Sequence, residues 1–449
     1  MTYVFNVLYL LLLVLLSPWL LYRALRRGRY RRGLGAKFLG RVSHSLLKPV
    51  AYASGSDGSR SPCAWFHGVS VGEVHLLRQV VALARRRNPH WRIVVSTSTD
   101  TGYDEACRVF GDLPVVFWPL DFSWAIKTAL GRVKPDLVVL AEGEIWPNFL
   151  RIAKRRGVKL ALLNGRMSPR SARRFRRIAW LARALFSRFD VILAQNAEYG
   201  ENYRTLGGRG VVVTGNVKYD GAATERDNPR TLQMRRVLGI GSEELVWVAG
   251  STQAPEEEIA LGIYRKARER FPHVRLIVVP RQKDRFESVG RLIEQSGFAL
   301  VRRSGITAEA GVARALTEDK PVLLIDTIGE LGAVWGLADV AFVGGSMDGK
   351  RGGQNMIEPA AYGAAVTFGP YVWNFKEPVA RLLERSAAVQ VQVAAELERV
   401  TLELLADAEQ RRELGERARA FVLSQQGATE RSVKAFEGLL TMSVERIAA

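Results

Sequence analysis

Three hydrophobic patterns run along this chain. The first is Val4 to Tyr22 (V-F-N-V-L-Y-L-L-L-L-V-L-L-S-P-W-L-L-Y), almost wholly apolar and interrupted by Asn6 and Pro18. At about 1.5 Å per residue, a helix of this length reaches roughly the hydrocarbon thickness of a bilayer. A cleavable signal peptide carries its charge before the apolar run and small residues after it. Here the charge follows and no A-x-A site closes the run, so the segment reads as an uncleaved anchor helix. Crossing the bilayer is the favoured reading, and lying in one leaflet is the alternative.

From about residue 60 the second pattern begins, short apolar runs alternating with helical spacing. The first half offers strands near Trp65, 93–96, 115–117, 137–140, 160–163, 191–193 and 211–213. The second half offers 246–249, 276–279, 322–325, 340–343 and 365–368. Continuous apolar runs between helices imply parallel sheets covered on both faces. One sheet of this many strands is unusually wide, so the pattern predicts two doubly wound α/β domains. The break falls at Asp220 to Arg230, a polar stretch carrying Gly and Pro. The predicted domains are an anchor with its basic flank over 1–30, an amino-terminal domain over 31–222 and a carboxy-terminal domain over 223–449. Ala408 to Val444, the third pattern, reads as helical and closes the last domain. Ligands of such sheets bind beyond the carboxyl ends of the strands, so two facing domains would place both sets of ends on one cleft.

The loops at those strand ends carry the polar residues. After Trp65-Phe66 comes His67-Gly68-Val69-Ser70-Val71-Gly72-Glu73, then helical spacing at Val74, Leu77, Val80, Val81 and Ala84. Small residues before a helix N-terminus let a ligand approach the backbone. Glu73 places a carboxylate there, yet Ser70-x-x-Glu73 is also a capping box, in which Glu73 only bonds backbone. After Leu140 come Glu142 and Glu144, costly beside a buried strand unless paired or solvated. Glu142 stands between a functional and a structural reading, and Glu144 leans structural. After Val213 comes Lys218, either a phosphate contact or a solvated lysine. In the second half, Pro280-Arg281 and Asp326-Thr327-Ile328-Gly329-Glu330 follow strands. So does Gly344-Gly345-Ser346, leading to Gly352-Gly353-Gln354-Asn355-Met356-Ile357-Glu358. Glycine-rich backbone opening a helix is a phosphate cradle, and Glu358 one turn inside suits a ribose hydroxyl.

Composition narrows the chemistry. The net charge of +20 is concentrated. Arg23 to Arg41 holds eight cations and no acid, and Arg151 to Arg188 holds thirteen and no acid. Charge collected in two places argues for an anionic partner at a defined face. Basic stripes interleaved with aromatics are not apparent, so a nucleic-acid partner is not expected. Two cysteines make no disulfide framework. The five histidines show no zinc spacing and no D-x-D pair occurs, so no metal site is expected. No G-x-G-x-x-G follows a strand and no G-x-x-x-x-G-K-[ST] occurs.

Taken in order, these pieces resemble the 3-deoxy-D-manno-octulosonic acid (Kdo) transferases of lipopolysaccharide assembly. The resemblance rests on His67 to Glu73, Thr97-Ser98-Thr99-Asp100-Thr101-Gly102, Trp118-Pro119-Leu120-Asp121 and Glu142-Gly143-Glu144-Ile145-Trp146-Pro147-Asn148. It continues through Asn164-Gly165-Arg166-Met167-Ser168-Pro169-Arg170-Ser171, Ala194-Gln195-Asn196, Val213 to Lys218 and Val279-Pro280-Arg281. It ends with Asp326 to Leu331, Phe342 to Ser346, Gly352 to Asn355 and Glu358. Gly68 and Gly143 stand where other small residues are common, and the loop between Ser346 and Gly352 is slightly longer.

The resemblance implies a GT-B fold, two Rossmann-like domains facing a cleft, with an amino-terminal membrane-anchor helix. It implies a CMP-Kdo donor, a lipid A precursor (lipid IVA) as acceptor, inversion at the anomeric centre, and neither cofactor nor metal. It implies Glu73 as the base, with Glu142 and Lys218 stabilising the transition state. Pro280, Arg281, Ile328, Gly329, Glu330, Asn355, Met356, Ile357 and Glu358 match CMP-binding positions. The implied location is the inner membrane, with the catalytic domains on the cytoplasmic side. Two rivals stand beside this reading: a sugar-nucleotide epimerase of the same fold, and a basic protein that only binds membrane surfaces.

Overall fold

The computed structural model describes residues 2–27, 32–42, 61–306 and 320–448. Residues 28–31 of the basic flank therefore lie outside the described residues, as do the side chains of several residues between 19 and 27. The chain forms two units, Met1–Gly221 with Gln426–Ala449, and Ala222–Gln425.

The first unit is built on seven strands: β1 (Cys63–His67), β2 (Arg92–Thr97), β3 (Val115–Phe117), β4 (Leu137–Ala141), β5 (Lys159–Gly165), β6 (Val191–Ala194) and β7 (Val211–Val213). Their order is β3-β2-β1-β4-β5-β6-β7, with every pairing parallel. Side chains alternate across each strand. Trp65, Val138 and Leu140 join one buried cluster, while Ala64, Phe66, Leu137 and Val139 join another on the opposite face. Both faces are buried, so the strands read as continuous apolar runs. Strand order reverses between β1 and β4, and the loops leaving their carboxyl ends flank the crevice where doubly wound sheets bind ligands.

The second unit repeats the plan with β8 (Leu245–Thr252), β9 (Val274–Pro280), β10 (Leu300–Arg302), β11 (Val322–Leu324), β12 (Val340–Val343), β13 (Ala365–Phe368) and β14 (Val389–Gln390). The order is β10-β11-β9-β8-β12-β13-β14, again parallel at every pairing. All twelve expected strands are present. The two unforeseen ones, β10 and β14, are two- or three-residue edge strands with half-exposed side chains, too short to register as apolar runs.

The polar break at 220–230 contains the crossing between the units, but the tail does not stay with the second. Helix Ala408–Gln425 belongs to the second unit, and helix Ala428–Ala448 returns to the first. It returns because Ala428, Val433, Phe436 and Leu440 complete the cluster over one face of the first sheet, with the Phe436 ring 6.1 Å from that of Phe66.

The structure does not support the spanning reading of the amino terminus. Among the described residues no helix is long and apolar enough to cross a membrane. Helix Thr2–Arg27 is held on the first unit by polar contacts near its start, at Asn6 and Tyr9. Beyond them it leaves Leu11, Val14 and Leu15 exposed at 56, 67 and 77%. The outcome is an apolar face on a docked helix.

Candidate active site

Glu73 lies in the first turn of helix Val71–Arg87, directly beyond β1. Ser70 caps that helix, accepting the Glu73 N–H at 3.4 Å. The reciprocal half of the capping box is displaced. The Glu73 carboxylate accepts from Val69 N at 2.6 Å, and its other oxygen accepts the Ser70 hydroxyl at 3.3 Å. Gly68 is required for this packing, since a Cβ there would sit 2.9 Å from Glu73 Cβ. Burial raises the Glu73 pKa; the charge of Glu142 adds to the rise, and the Val69 N–H and Lys218 oppose it.

The loop leaving β4 supplies the rest. Glu142 adopts a left-handed backbone, φ 57°. One of its carboxylate oxygens lies 2.8 Å from Lys218 Nζ and accepts from Asn164 Nδ2 at 3.4 Å. Asn164 is left-handed too, at φ 56°, and its Oδ1 accepts Val217 N at 3.0 Å, tying the Lys218 turn to the carboxylate. Glu144 shares this field. Burial first, then the charges of Glu73 and Glu142, push its pKa up to about 7. The structure therefore brings Glu73, Glu142 and Lys218 together at the strand-order reversal and adds Glu144, which the sequence reading leaned towards as structural. No sequence signal singles it out, because its character comes first from burial and from Glu73, which is distant in the chain.

His67, at the end of β1, is fully buried, and its ring stacks on Trp118 at 4.0 Å. Burial depresses its pKa to about 3, so it stays neutral and is a poor proton acceptor at neutral pH. The carboxylates are thus the basic groups of this crevice.

In the second unit, parallel strands put the candidate donor residues on one sheet edge. Pro280 ends β9, and Arg281 follows it, donating from Nε to Gln354 Oε1 at 3.1 Å. Asn355 Nδ2 donates to Glu358 Oε1 at 2.9 Å, and Asn355 Oδ1 accepts Ile357 N at 3.0 Å. Burial raises the Glu358 pKa, against Asn355 and the charge of Arg281. Arg281, Gln354, Asn355 and Glu358 therefore form one connected group. Met356 and Ile357 are fully buried, so only their backbone can face a ligand. Ile328 is exposed, Gly329 takes φ 90°, and Glu330 pairs with Arg303 at 2.9 Å and accepts the Thr327 hydroxyl.

The glycine-rich cradle is narrower than expected. The buried Glu256 carboxylate accepts from Gly345 N at 2.7 Å, Ser346 N at 2.9 Å and Met347 N at 3.0 Å. A Cβ on Gly344 would meet that carboxylate at 2.6 Å. The protein's own anion fills the first part of the loop, so a phosphate would have to meet the part from Gly352 onward. Glu256 was not foreseen because the loop it fills lies 89 residues further along the chain.

The basic segment forms helices Pro169–Arg176 and Ala179–Phe186. Ala182, Leu185 and Phe186 are buried, whereas Ile178 and Trp180 are exposed at 41 and 67%. Two helices broken at Arg177–Ile178 cannot share one continuous stripe. Among the described residues there is no group of side chains suited to a metal ion.

The model of the family "3-Deoxy-D-manno-octulosonic-acid transferase (kdotransferase)" matches residues 41–221. A 3-deoxy-D-manno-octulosonic acid transferase from Haemophilus influenzae is 33% identical over 384 residues, covering 85% of this chain and 88% of that one. Among solved structures, the C-terminal CMP-Kdo binding domain of WaaA from Acinetobacter baumannii matches at 28% identity, covering 43% of this chain and 96% of that one with a TM-score of 0.39. A UDP-GlcNAc 2-epimerase from Neisseria meningitidis shares the two-domain fold at 11% identity, covering 85% of this chain and all of that one with a TM-score of 0.54. The fold, two parallel α/β units resembling GT-B glycosyltransferases, is common to both activities; the relationship across most of the sequence is to one of them, and the chain belongs to the Kdo transferases, a family of glycosyltransferases.

Proposed function

We propose that this chain moves Kdo from CMP-Kdo to the lipid A precursor lipid IVA, or a closely related anionic glycolipid, with inversion and without a metal. The observation that carries the reading is the meeting of Glu73, Glu142 and Lys218 at the strand-order reversal of the first unit. Glu73 takes the proton of the acceptor hydroxyl as its oxygen bonds to the anomeric carbon, while the bond from that carbon to the CMP phosphate oxygen breaks and CMP leaves with the electron pair. Raising a carboxylate pKa by burial brings it nearer the working pH, which suits a general base. Lys218, fixed against Glu142, supplies a cation at the same place for charge developing in the transition state. The direct test is the anomeric configuration of the product by NMR, with turnover insensitive to a chelator. Retention of configuration, or loss of turnover on chelation, would overturn this mechanism.

CMP is assigned to the second unit, with Arg281 meeting phosphate and Glu358 the ribose. Arg281→Ala and Glu358→Ala are each expected to weaken CMP binding at least about tenfold, the scale of one lost charge-assisted contact. Calorimetric titration reads this, and unchanged affinity in both variants would remove the site from these loops.

The acceptor and the membrane are assigned to the first unit. Exposed leucines on helix Thr2–Arg27 and the basic run after it suit a helix lying in one leaflet of an anionic membrane. We assign that leaflet to the cytoplasmic side of the inner membrane. Arg173, Arg174, Arg176 and Arg177 are exposed, and among the described residues none pairs with a carboxylate. A guanidinium fork suits lipid phosphate. Removing these four charges is expected to raise KM for lipid IVA several-fold in neutral detergent. Loss confined to anionic vesicles would make the patch a membrane contact only.

A further inference from the structure

A chain of side-chain bonds joins the amino-terminal helix to the start of helix Pro147–Arg155, which directly follows the loop that carries Glu142 and Glu144. Asn6 is buried, donating from Nδ2 to Ser123 Oγ at 2.8 Å and accepting Ser123 N at 3.1 Å and Asn148 Nδ2 at 3.2 Å on its Oδ1. The Tyr9 hydroxyl donates to Asp121 Oδ2 at 2.9 Å. Its ring packs edge-on to Phe122 at 6.2 Å. Asp121 is buried and accepts Asn148 N at 2.9 Å and Phe149 N at 2.8 Å. These are the first free N–H groups of helix Pro147–Arg155, whose own N-cap residue, Trp146, makes no side-chain cap bond. Asn148 is pinned again by its own Nδ2, which donates to the Asp121 carbonyl at 2.7 Å.

The segment entering that capped helix is Glu142-Gly143-Glu144-Ile145-Trp146. β4 holds one end of it, and the Asp121 cap holds the other. Glu142 sits in a left-handed conformation that a non-glycine residue keeps only when its surroundings enforce it. Gly143 adds no stiffness, since no atom lies within 4 Å of where its Cβ would be. Lys218 and Asn164 hold the Glu142 carboxylate from one side, the cap fixes the far end of the loop, and the cap draws donors from the amino-terminal helix. The donors of a buried carboxylate keep it ionised against the cost of burial, so losing the Tyr9 hydroxyl favours protonation of Asp121, and a neutral carboxyl is a poorer acceptor for the N–H groups of the helix.

We propose that Asn6 and Tyr9 are positioning residues, and that seating of the amino-terminal helix on Asp121, Ser123 and Asn148 sets the Glu142–Glu144 loop in its reactive arrangement. The helix that meets the lipid thereby governs turnover as well as attachment. This inference rests on the transferase reading above, in which Glu142 belongs to the reaction centre.

The test uses the full chain in neutral detergent, where attachment to a membrane plays no part. Tyr9→Phe, Asn6→Ala and the double variant are compared with wild type for kcat and KM with CMP-Kdo and lipid IVA. Amide hydrogen exchange over residues 142–150 is followed in the same samples. Displacing a reacting group by even an ångström costs rate, so kcat is expected to fall about tenfold in the double variant. KM for CMP-Kdo should stay unchanged, and exchange at Asn148, Phe149 and the preceding loop should quicken. Tyr9→Phe keeps the ring packing, so it decides the matter if Asn6→Ala unfolds. Unchanged kcat and unchanged exchange, with loss only of binding to anionic vesicles, would reduce the helix to a tether and overturn the proposal. Failure of the wild type to transfer Kdo would instead overturn the transferase reading, while the exchange comparison would still show whether the helix holds the loop.

Discussion

Glu73→Gln is expected to lower kcat by about 10²–10⁴ while leaving CMP affinity unchanged. Loss of a general base costs on that scale. Glutamine keeps the shape and one carbonyl oxygen, so it can still accept the Val69 N–H that Glu73 accepts at 2.6 Å. Ser70 remains to cap the helix from its other side. The structural role is thus largely preserved and the proton acceptor removed, which separates the two readings of Ser70-x-x-Glu73. The pH profile gives a second check. Burial raises the Glu73 pKa above the ordinary carboxylate value. Activity is present when Glu73 is deprotonated, so the wild-type rate should fall as pH drops through that raised value. A variant with near-normal turnover and a lowered unfolding midpoint would reduce Glu73 to a cap, worth about 1 kcal/mol.

Lys218→Met should be the second largest effect, about 10²–10³ in kcat, the scale of one preorganised electrostatic contact. Lys218 Nζ lies 2.8 Å from the Glu142 carboxylate, and its charge opposes the rise in the Glu73 pKa. Without it, Glu73, Glu142 and Glu144 face one another with less compensation. The Glu73 pKa must then rise further, so the acid limb of kcat/KM should move to higher pH as kcat falls. Methionine fills most of the lysine volume, which keeps packing loss small. Unchanged kcat together with an unmoved acid limb would make Lys218 an ordinary surface lysine.

Much of this architecture was legible because buried parallel strands leave an unambiguous trace. Runs such as Leu137–Leu140 and Val340–Val343 are apolar at every position since both faces are covered. Their loops leave one edge of each sheet, so Glu73, Glu142, Lys218, Arg281 and Glu358 stand out as polar groups at strand ends. What was not legible depends on contacts between distant residues. The apolar stripe of helix Ala428–Ala448 does not say which sheet it covers, and it covers the first. The run of leucines after Val4 reports hydropathy but not the partners of Asn6 and Tyr9, which hold the helix against the first unit. Glu144 looked incidental because its pKa of about 7 arises from burial and from Glu73, on another strand's loop. Gly345 and Ser346 looked like ligand donors because nothing nearby in the chain announces Glu256.

The identity of the reaction is decided by the mass of the product. Purified full-length protein is incubated in detergent with CMP-Kdo and lipid IVA, and the lipid is examined by mass spectrometry as CMP accumulates. The expected product is lipid IVA heavier by one or more Kdo residues, with CMP released in equal number. Lipid IVA of unchanged mass, whether CMP-Kdo stays intact or is merely hydrolysed, would contradict it.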